Sequence, residues 1–132
     1  MIPNGLIITG MHRSGTSLVA QAFSKGGMFL GDDLLGPSRS NPDGFFEDTK
    51  VIQFHDLVLQ ENHAEWHSFS TFTKKNLSVS AERKNEAIKL MGQYFQGHPI
   101  WGWKDPRATL FLGLWREILP QARAQKVRHV RV

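Results

Sequence analysis

The sequence contains no cysteine, and this absence removes several kinds of chemistry at once. Disulfide bonds, thiolate metal sites and a cysteine nucleophile are all excluded. Long apolar runs are also missing, since none approaches the roughly 20 residues that a helix needs to span a bilayer. No secretory signal is evident at the amino terminus. With an apolar fraction of 40% and a charged fraction of 21%, the composition predicts a globular, cytoplasmic protein without a membrane partner.

Acidic residues are absent from the last ten positions, and this absence accounts for the net charge of +4. Four of the 16 basic residues lie there, so the remaining 12 balance the 12 acidic residues of the chain. A nucleic-acid-binding surface carries basic residues spread along a folded face. We therefore expect no nucleic-acid partner. The basic residues of the tail are Arg123, Lys126, Arg128 and Arg131.

The segment Gly10–Ser17, which reads G-M-H-R-S-G-T-S, carries the strongest local signal. The β-branched run Leu6–Thr9 precedes it and a run with helical spacing follows it. Strand, glycine-containing loop and helix together turn backbone N–H groups toward one anion. The spacing G-x-x-x-x-G is that of a phosphate-binding loop, but Thr16 stands where a nucleotide triphosphatase has lysine. The cation has moved to Arg13, inside the loop.

The order of elements along the chain predicts one α/β domain with a parallel sheet over residues 1–132. Residues 28–31 are either a short strand or a buried loop. The tail, residues 123–132, is expected not to form a covered strand because it is basic and sparsely apolar, so the chain resembles the front part of a larger domain, truncated at its carboxyl end. The other predicted elements are strands at Leu6–Thr9 and Ile100–Lys104, and helices capped by Thr16 or Ser17, starting near Phe46-Glu47, starting at Ser78 or Ser80, and spanning Ala108–Leu119.

Two further motifs follow the loop: N-P-D-G-F-F-E-D at 41–48 and W-G-W-K-D-P-R at 101–107. In order and spacing, the three motifs resemble the sulfotransferase family, in particular its bacterial branch with an H-R-S-G-T-S loop. The resemblance implies a P-loop-like three-layer α/β fold. It also implies 3′-phosphoadenosine 5′-phosphosulfate (PAPS) as the donor, a small-molecule or glycan acceptor with a hydroxyl or amine, and no metal.

The resemblance assigns roles to residues of these motifs. Arg13 and the loop amides are expected to hold the 5′-phosphosulfate, and Lys104 is a second cation for the sulfuryl or bridging oxygen. Arg13 has a plain alternative as a solvated loop residue, and Lys104 as an ion-pair partner of Asp105 or Glu47. The predicted catalytic residues are Arg13, Lys104 and Glu47, and the predicted donor-binding residues are His12, Arg13, Ser14, Gly15, Thr16 and Ser17.

The acceptor hydroxyl needs a general base, for which Glu47 is the first candidate and His12 the second. A helix N-terminus would lower the pKa of Glu47 and burial would raise it, so the sign of the shift stays open. Arg107 is expected to bind an anionic acceptor or to pair with an acid. Asp105 is expected to orient Lys104 or to cap the helix that follows.

Other residues have plainer interpretations. His63 and His67 have a spacing that zinc ligands can have, but Ala64 stands where the zinc-hydrolase pattern needs glutamate, so no metal site is predicted. Loop or capping positions are expected for Asp32, Asp33 and Asp48, and core positions for Trp66, Trp101, Trp103 and Trp115.

One departure from the family pattern concerns the donor's 3′-phosphate. The family grips it with an arginine at the end of the next strand and with a later serine. Arg128 is a candidate for the arginine, but no serine follows Ser80, so the PAPS site is expected to be half built. Two alternatives therefore stay open: a P-loop small-molecule kinase, and a non-catalytic remnant that binds an anion.

Overall fold

The computed structural model describes residues 5–10, 14–37, 39, 44–65, 77–95, 98–122 and 127–131, with the backbone only for 93–95 and 127–131. Three parallel strands form the sheet, β1 (Gly5–Thr9), β2 (Trp101–Lys104) and β3 (Val127–Arg131), with β1 in the middle. Because the strands run the same way, their carboxyl ends share one edge. Open parallel sheets bind ligands at that edge.

The basic tail forms strand β3, which corrects the expectation from its composition. It pairs with the whole of β1, from Gly5 opposite Val127 to Thr9 opposite Arg131. A strand is held first by backbone hydrogen bonds, which basic side chains do not prevent. Strand β1 therefore has a neighbour on each side. Arg131, not Arg128, is the last residue of the new strand.

The described helices are α1 (Thr16–Lys25), α2 (Thr49–Glu61), α3 (Ala81–Phe95), a 3₁₀ helix (Pro106–Leu110) and α4 (Leu112–Gln121). Two helices begin at positions that differ from the predicted ones, because their N-caps are Gly15 and Asp48. The prediction of one continuous helix over Ala108–Leu119 is wrong.

The chain after β2 first makes a 3₁₀ turn and then the separate helix α4. Asp105 caps that turn by accepting a hydrogen bond from the backbone N–H of Arg107 at 3.0 Å. Pro106 fixes the backbone of the first position, where a missing N–H costs nothing. Pro120 lies in the last turn of α4 instead of closing the helix from outside.

Apolar side chains pack on both faces of β1, as the two-residue period of a strand requires. Leu6 and Ile8 pack with Ala20 of α1 and with Leu30, while Ile7 joins a larger cluster. Phe29 makes a single parallel bridge to Trp101, so residues 28–31 are a loop that touches β2 and not a strand. Leu30 is buried and the other three residues are half-buried. The larger cluster includes Val51, Phe54 and Val58 of α2, Ala87 and Met91 of α3, and Trp115 and Ile118 of α4.

Candidate functional site

The loop after β1 is described at Gly10 and again from Ser14 onward. Met11, His12 and Arg13 lie outside the described residues, so the roles predicted for His12 and Arg13 stay predictions. Gly15 has φ of 90°, a left-handed conformation that favours glycine, and it caps α1 without a side-chain hydrogen bond. The first turn of α1 contains no acidic residue, so the positive end of its dipole is not neutralised from within the helix.

Lys104, the last residue of β2, lies beside this loop because β1 and β2 are adjacent and parallel. Its ammonium group donates to the hydroxyl of Ser17 at 3.2 Å and to Oε1 of Glu47 at 2.6 Å. The Ser17 hydroxyl in turn donates to the carbonyl of Phe45 at 3.5 Å. The lysine side chain is 3% exposed. One buried ammonium group therefore joins residues from all three motifs.

Glu47 is held in place by backbone contacts before α2 begins. Its carbonyl accepts from the backbone N–H of Leu35 at 2.7 Å, and Asp48 accepts from the backbone N–H of Lys50 at 2.8 Å. Phe46 has φ of 57°, which is unusual for a residue with a side chain and costs on the order of 1 kcal/mol. The turn at Phe46 directs the next residue toward Lys104.

The loop that faces this turn is fixed to the start of α2. Asp33 accepts from the hydroxyl of Thr49 at 2.6 Å, and its carbonyl accepts from the backbone N–H of Thr49 at 2.9 Å. The loop position predicted for Asp33 and the capping position predicted for Asp48 are confirmed. The Gly-, Pro- and Asp-rich composition of residues 32–44 predicts a long loop over the site, but Ser38 and residues 40–43 lie outside the described residues.

Burial decides the direction in which the Glu47 carboxyl shifts. Because its side chain is 7% exposed, desolvation raises the pKa of Glu47 above its ordinary value, and the neighbouring Lys104 opposes that rise only in part. Asp105 adds a like charge that also raises it. The pKa of Glu47, whose direction of shift the sequence left open, is therefore raised, which is the direction that suits a general base.

Arg107 lies between three carboxylates. Its Nε donates to Asp56 at 2.8 Å, and its Nη1 donates to Asp105 at 3.0 Å. The same Nη1 is 3.9 Å from Oε2 of Glu47. Burial opposes the charged guanidinium, but Asp105 and Asp56 together raise the pKa of Arg107. Arg107 thus pairs with acids, one of its two predicted roles, and stands beside the candidate base.

Asp105 is fully buried, yet it is held as a carboxylate. Burial alone would raise its pKa, but the hydrogen bond from His55 and the charge of Arg107 outweigh burial and lower the pKa of Asp105. His55 Nδ1 and Asp105 Oδ2 are 2.6 Å apart. Capping of the following helix, one of the two roles predicted for Asp105, is confirmed.

Sequence reasoning missed His55, Asp56 and Trp115 as neighbours of the site. The helical spacing of Val51, Phe54, Leu57 and Val58 predicts that these four residues form the apolar face of this helix. Leu57 is 39% exposed, however, whereas His55 is fully buried on the core face. The available signal was the spacing of His55 from Val51 and Leu59, four residues away in each direction. Trp115 was predicted as core and is buried, but its Nε1 donates to His55 Nε2 at 2.9 Å.

The remaining predicted residues divide by location. Ser14, Gly15, Thr16 and Ser17 lie at the start of α1, where Thr16 is buried and Ser14 exposed. Trp101 and Trp103 are core residues as predicted. His67 and Trp66 lie outside the described residues. Among the side chains that the structure describes, no group of three or more His, Asp or Glu residues has a geometry that could hold a metal ion.

Comparison of the chain with models of known families, with curated proteins and with solved structures finds no significant match. The described helices include none that is both long enough and apolar enough to cross a membrane. The site therefore rests on its own geometry: one buried cation (Lys104), one half-buried cation (Arg107), three carboxylates and a helix N-terminus at the carboxyl edge of a parallel sheet.

Proposed function

We propose that this chain binds PAPS at the carboxyl edge of its sheet and forms the donor side of a sulfotransferase. The acceptor is a hydroxyl or amine of a small molecule or glycan. One observation carries the proposal: the ammonium group of Lys104 contacts both Ser17 and Glu47. The three motifs that resemble the family, far apart in sequence, thus converge on one cation.

The reaction asks little covalent chemistry of the protein. The acceptor oxygen forms a bond to sulfur, the bond from sulfur to the bridging phosphate oxygen breaks, and its electron pair stays on that oxygen. Such transfers depend mainly on positioning and on stabilisation of charge at the leaving oxygen. In our proposal the positive charge of Lys104 stabilises the negative charge that develops on the leaving oxygen. Arg13 and the amides of Ser14 to Ser17 hold the anionic end of the donor.

Lys104 pairs with Glu47 in this structure, so donor binding must change that pair. An anion that takes the Lys104 ammonium removes the nearest positive charge from a carboxylate that is already buried. The pKa of Glu47 then rises further, which prepares it to accept the proton of the acceptor hydroxyl. His12, in the loop, remains the second candidate for the base.

The P-loop-like layered fold belongs to the same proposal. It is supported by the parallel sheet and by the packing of β1, whose Leu6 and Ile8 meet α1 while Ile7 meets the larger cluster. Arg131 ends the strand next to β1, the position at which the family places an arginine for the 3′-phosphate. Residues 81–132 contain no serine that matches the second residue of that subsite, so donor binding is a more direct test than turnover.

Calorimetry with adenosine 3′,5′-bisphosphate tests the proposal. Lys104→Met should be made in a Glu47→Gln background, because removal of Lys104 alone leaves a buried, unpaired carboxylate. We expect the double variant to bind at least about tenfold more weakly than Glu47→Gln alone, the effect of losing one charge-assisted hydrogen bond of about 1.5–3 kcal/mol. Lys84→Met is the matched control, since Lys84 pairs with Glu117 on the surface.

Two results would contradict the proposal. Equal affinity of the double variant and of Glu47→Gln would remove Lys104 from the donor site. Magnesium-dependent binding of ATP, with no binding of the bisphosphate, would favour the kinase alternative instead.

A further inference from the structure

A chain of buried donors and acceptors runs from the core to the edge of the site. Trp115 Nε1 lies 2.9 Å from His55 Nε2, His55 Nδ1 lies 2.6 Å from Asp105 Oδ2, and Asp105 Oδ1 lies 3.0 Å from Nη1 of Arg107. We infer that Trp115 and His55 are positioning residues, which fix the Asp105 carboxylate so that it holds Arg107 beside Glu47. We call these four residues, Trp115, His55, Asp105 and Arg107, the relay.

The direction of the hydrogen bonds follows from what each group can do. An indole N–H only donates, so His55 Nε2 must accept from Trp115. The ring proton of His55 therefore lies on Nδ1, and this N–H donates to Asp105. One tautomer satisfies both ring nitrogens in a place that water does not reach, since His55, Asp105 and Trp115 are all fully buried.

The second carboxylate oxygen of Asp105 holds Arg107 in place. Oδ1 accepts from both the backbone N–H and the Nη1 of Arg107, each at 3.0 Å. A carboxylate that is free to rotate could not hold both groups, whereas one fixed by His55 at Oδ2 presents Oδ1 to both. Arg107 is thereby placed with Nη1 3.9 Å from Oε2 of Glu47.

Packing alone does not require a histidine at this position. A leucine would extend the apolar face formed by Val51, Phe54 and Val58 without needing a polar partner. The histidine ring does pack against Phe111, with ring centroids 4.4 Å apart, but only its Nδ1–H orients Asp105. The role of Arg107 toward an anionic acceptor rests on the proposed function; the ordering of Arg107 by His55 does not.

Two substitutions at position 55 separate the positioning role from a packing role. In His55→Asn the side-chain amide nitrogen takes the place of Nδ1 and can still donate to Asp105. In His55→Gln the amide oxygen takes the place of Nε2 and can accept from Trp115, but the donor to Asp105 is lost. Both variants put a smaller or less rigid polar group in the same cavity, so a merely structural role predicts similar effects.

Hydrogen exchange by NMR measures the outcome at the two groups that Asp105 holds, the backbone N–H and the Nη1–H of Arg107. We expect both to exchange in His55→Asn within about threefold of the wild-type rate, and in His55→Gln at least about tenfold faster, the equivalent of about 1.4 kcal/mol. Val58→Ala, a packing variant on the same helix face, should leave both rates unchanged relative to global stability. Equal protection in the Asn and Gln variants would overturn the inference.

The tautomer provides a second measurement that needs no variant. Nitrogen-15 shifts of His55 in the wild-type chain should show a protonated Nδ1 and an unprotonated Nε2. Protonation of Nε2 would overturn the relay even if the substituted chains do not fold. Neither measurement involves PAPS, so the relay can fail while donor binding at Lys104 stands, and the reverse is equally distinguishable.

Discussion

At the scale of single residues, the site is a small set of opposed charges. Lys104 and Arg107 face three carboxylates, those of Glu47, Asp56 and Asp105. An incoming anion adds negative charge to a cluster in which acids already outnumber cations. Its binding is therefore easier when Glu47 is protonated or replaced, because Lys104 is then free to contact the anion.

Because Glu47 and an incoming anion compete for Lys104, we expect Glu47→Gln to tighten the binding of inorganic sulfate. The wild-type affinity should rise as pH falls through the pKa of Glu47, which burial raises above the usual 4.5; the variant should show no such rise. Calorimetry at several pH values measures both, and Glu86→Gln, which alters a surface pair with Arg83, is the control. A variant that binds sulfate more weakly than the wild type would refute the competition between Glu47 and the anion.

The lowered pKa of Asp105 predicts that folding stability decreases as pH falls, whereas sulfate affinity is expected to increase. A carboxyl whose pKa is lowered in the folded state adds stability above its unfolded value of about 3.8, and this contribution is lost as pH falls below that value. In Asp105→Asn the free energy of unfolding should therefore depend less on pH below that value, in the part of the curve that we call the acid limb. The substitution should lower the free energy of unfolding by about 3–5 kcal/mol at neutral pH, as for one partner of a buried ion pair.

Urea denaturation at pH 3 to 7 measures this effect. Asp56→Asn is the control, because Asp56 is 40% exposed and should cost only about 0–1 kcal/mol. An unchanged acid limb in Asp105→Asn would show that Asp105 is not held as a carboxylate.

At the scale of elements, the close contact of β1 with β2 depends on a glycine in W-G-W-K. A β-carbon at Gly102 would stand 2.5 Å from the carbonyl oxygen of Leu6 and 2.9 Å from the sulfur of Met28. Gly102→Ala should therefore destabilise the chain by about 1–3 kcal/mol, the range for overpacking. Denaturant unfolding measures the change.

The matched substitution Gly113→Ala should have the opposite sign. Gly113 lies in α4 with open space around it, so alanine should stabilise the helix by about 0.5–1 kcal/mol. If Gly102→Ala were neutral, the spacing of β1 and β2 described here would be wrong.

The elements also show where sequence reasoning succeeds and where it does not. Strand β1 could be predicted because an unbroken apolar run has few alternatives. Helix α2 could be predicted because Val51, Phe54 and Val58 have helical spacing, although Leu57, at the same spacing, is exposed. His55 could not be placed, since its burial depends on Asp105 and Trp115, fifty and sixty residues away. The 3₁₀ turn was missed because one cap, Asp105, overrides the helical spacing that follows it.

At the site, too, some features could be predicted from the sequence and others depend on packing between distant residues. The meeting of Ser17, Glu47 and Lys104 could be anticipated from the resemblance, since each lies in a recognised motif. The ion pair of Lys104 with Glu47 was one of the alternatives that the sequence offered for this lysine, and it is confirmed. That Glu47 is buried enough to raise its pKa follows only from the packing of Phe46 and its neighbours. Charge and spacing in the sequence do not determine burial.

At the scale of the whole molecule, β3 completes the sheet around β1. Deletion of residues 123–132 should expose one edge of β1 and leave its backbone N–H and C=O groups without the partners that β3 provides. We expect a lower unfolding midpoint and, because less surface is buried, a smaller dependence of the unfolding free energy on urea. A deleted chain as stable as the full one would show that β3 contributes nothing to the fold.

The most direct test of the central claim is a titration of the labelled chain with adenosine 3′,5′-bisphosphate, followed by amide NMR. We expect the largest amide shift changes at residues 14–17, 47, 104, 105 and 107, the parts of the three motifs that meet at Lys104. The amides of Arg83 and Glu86, on the surface of α3, should not move. Changes confined to the basic tail at 123–131, or no changes at millimolar ligand, would contradict it.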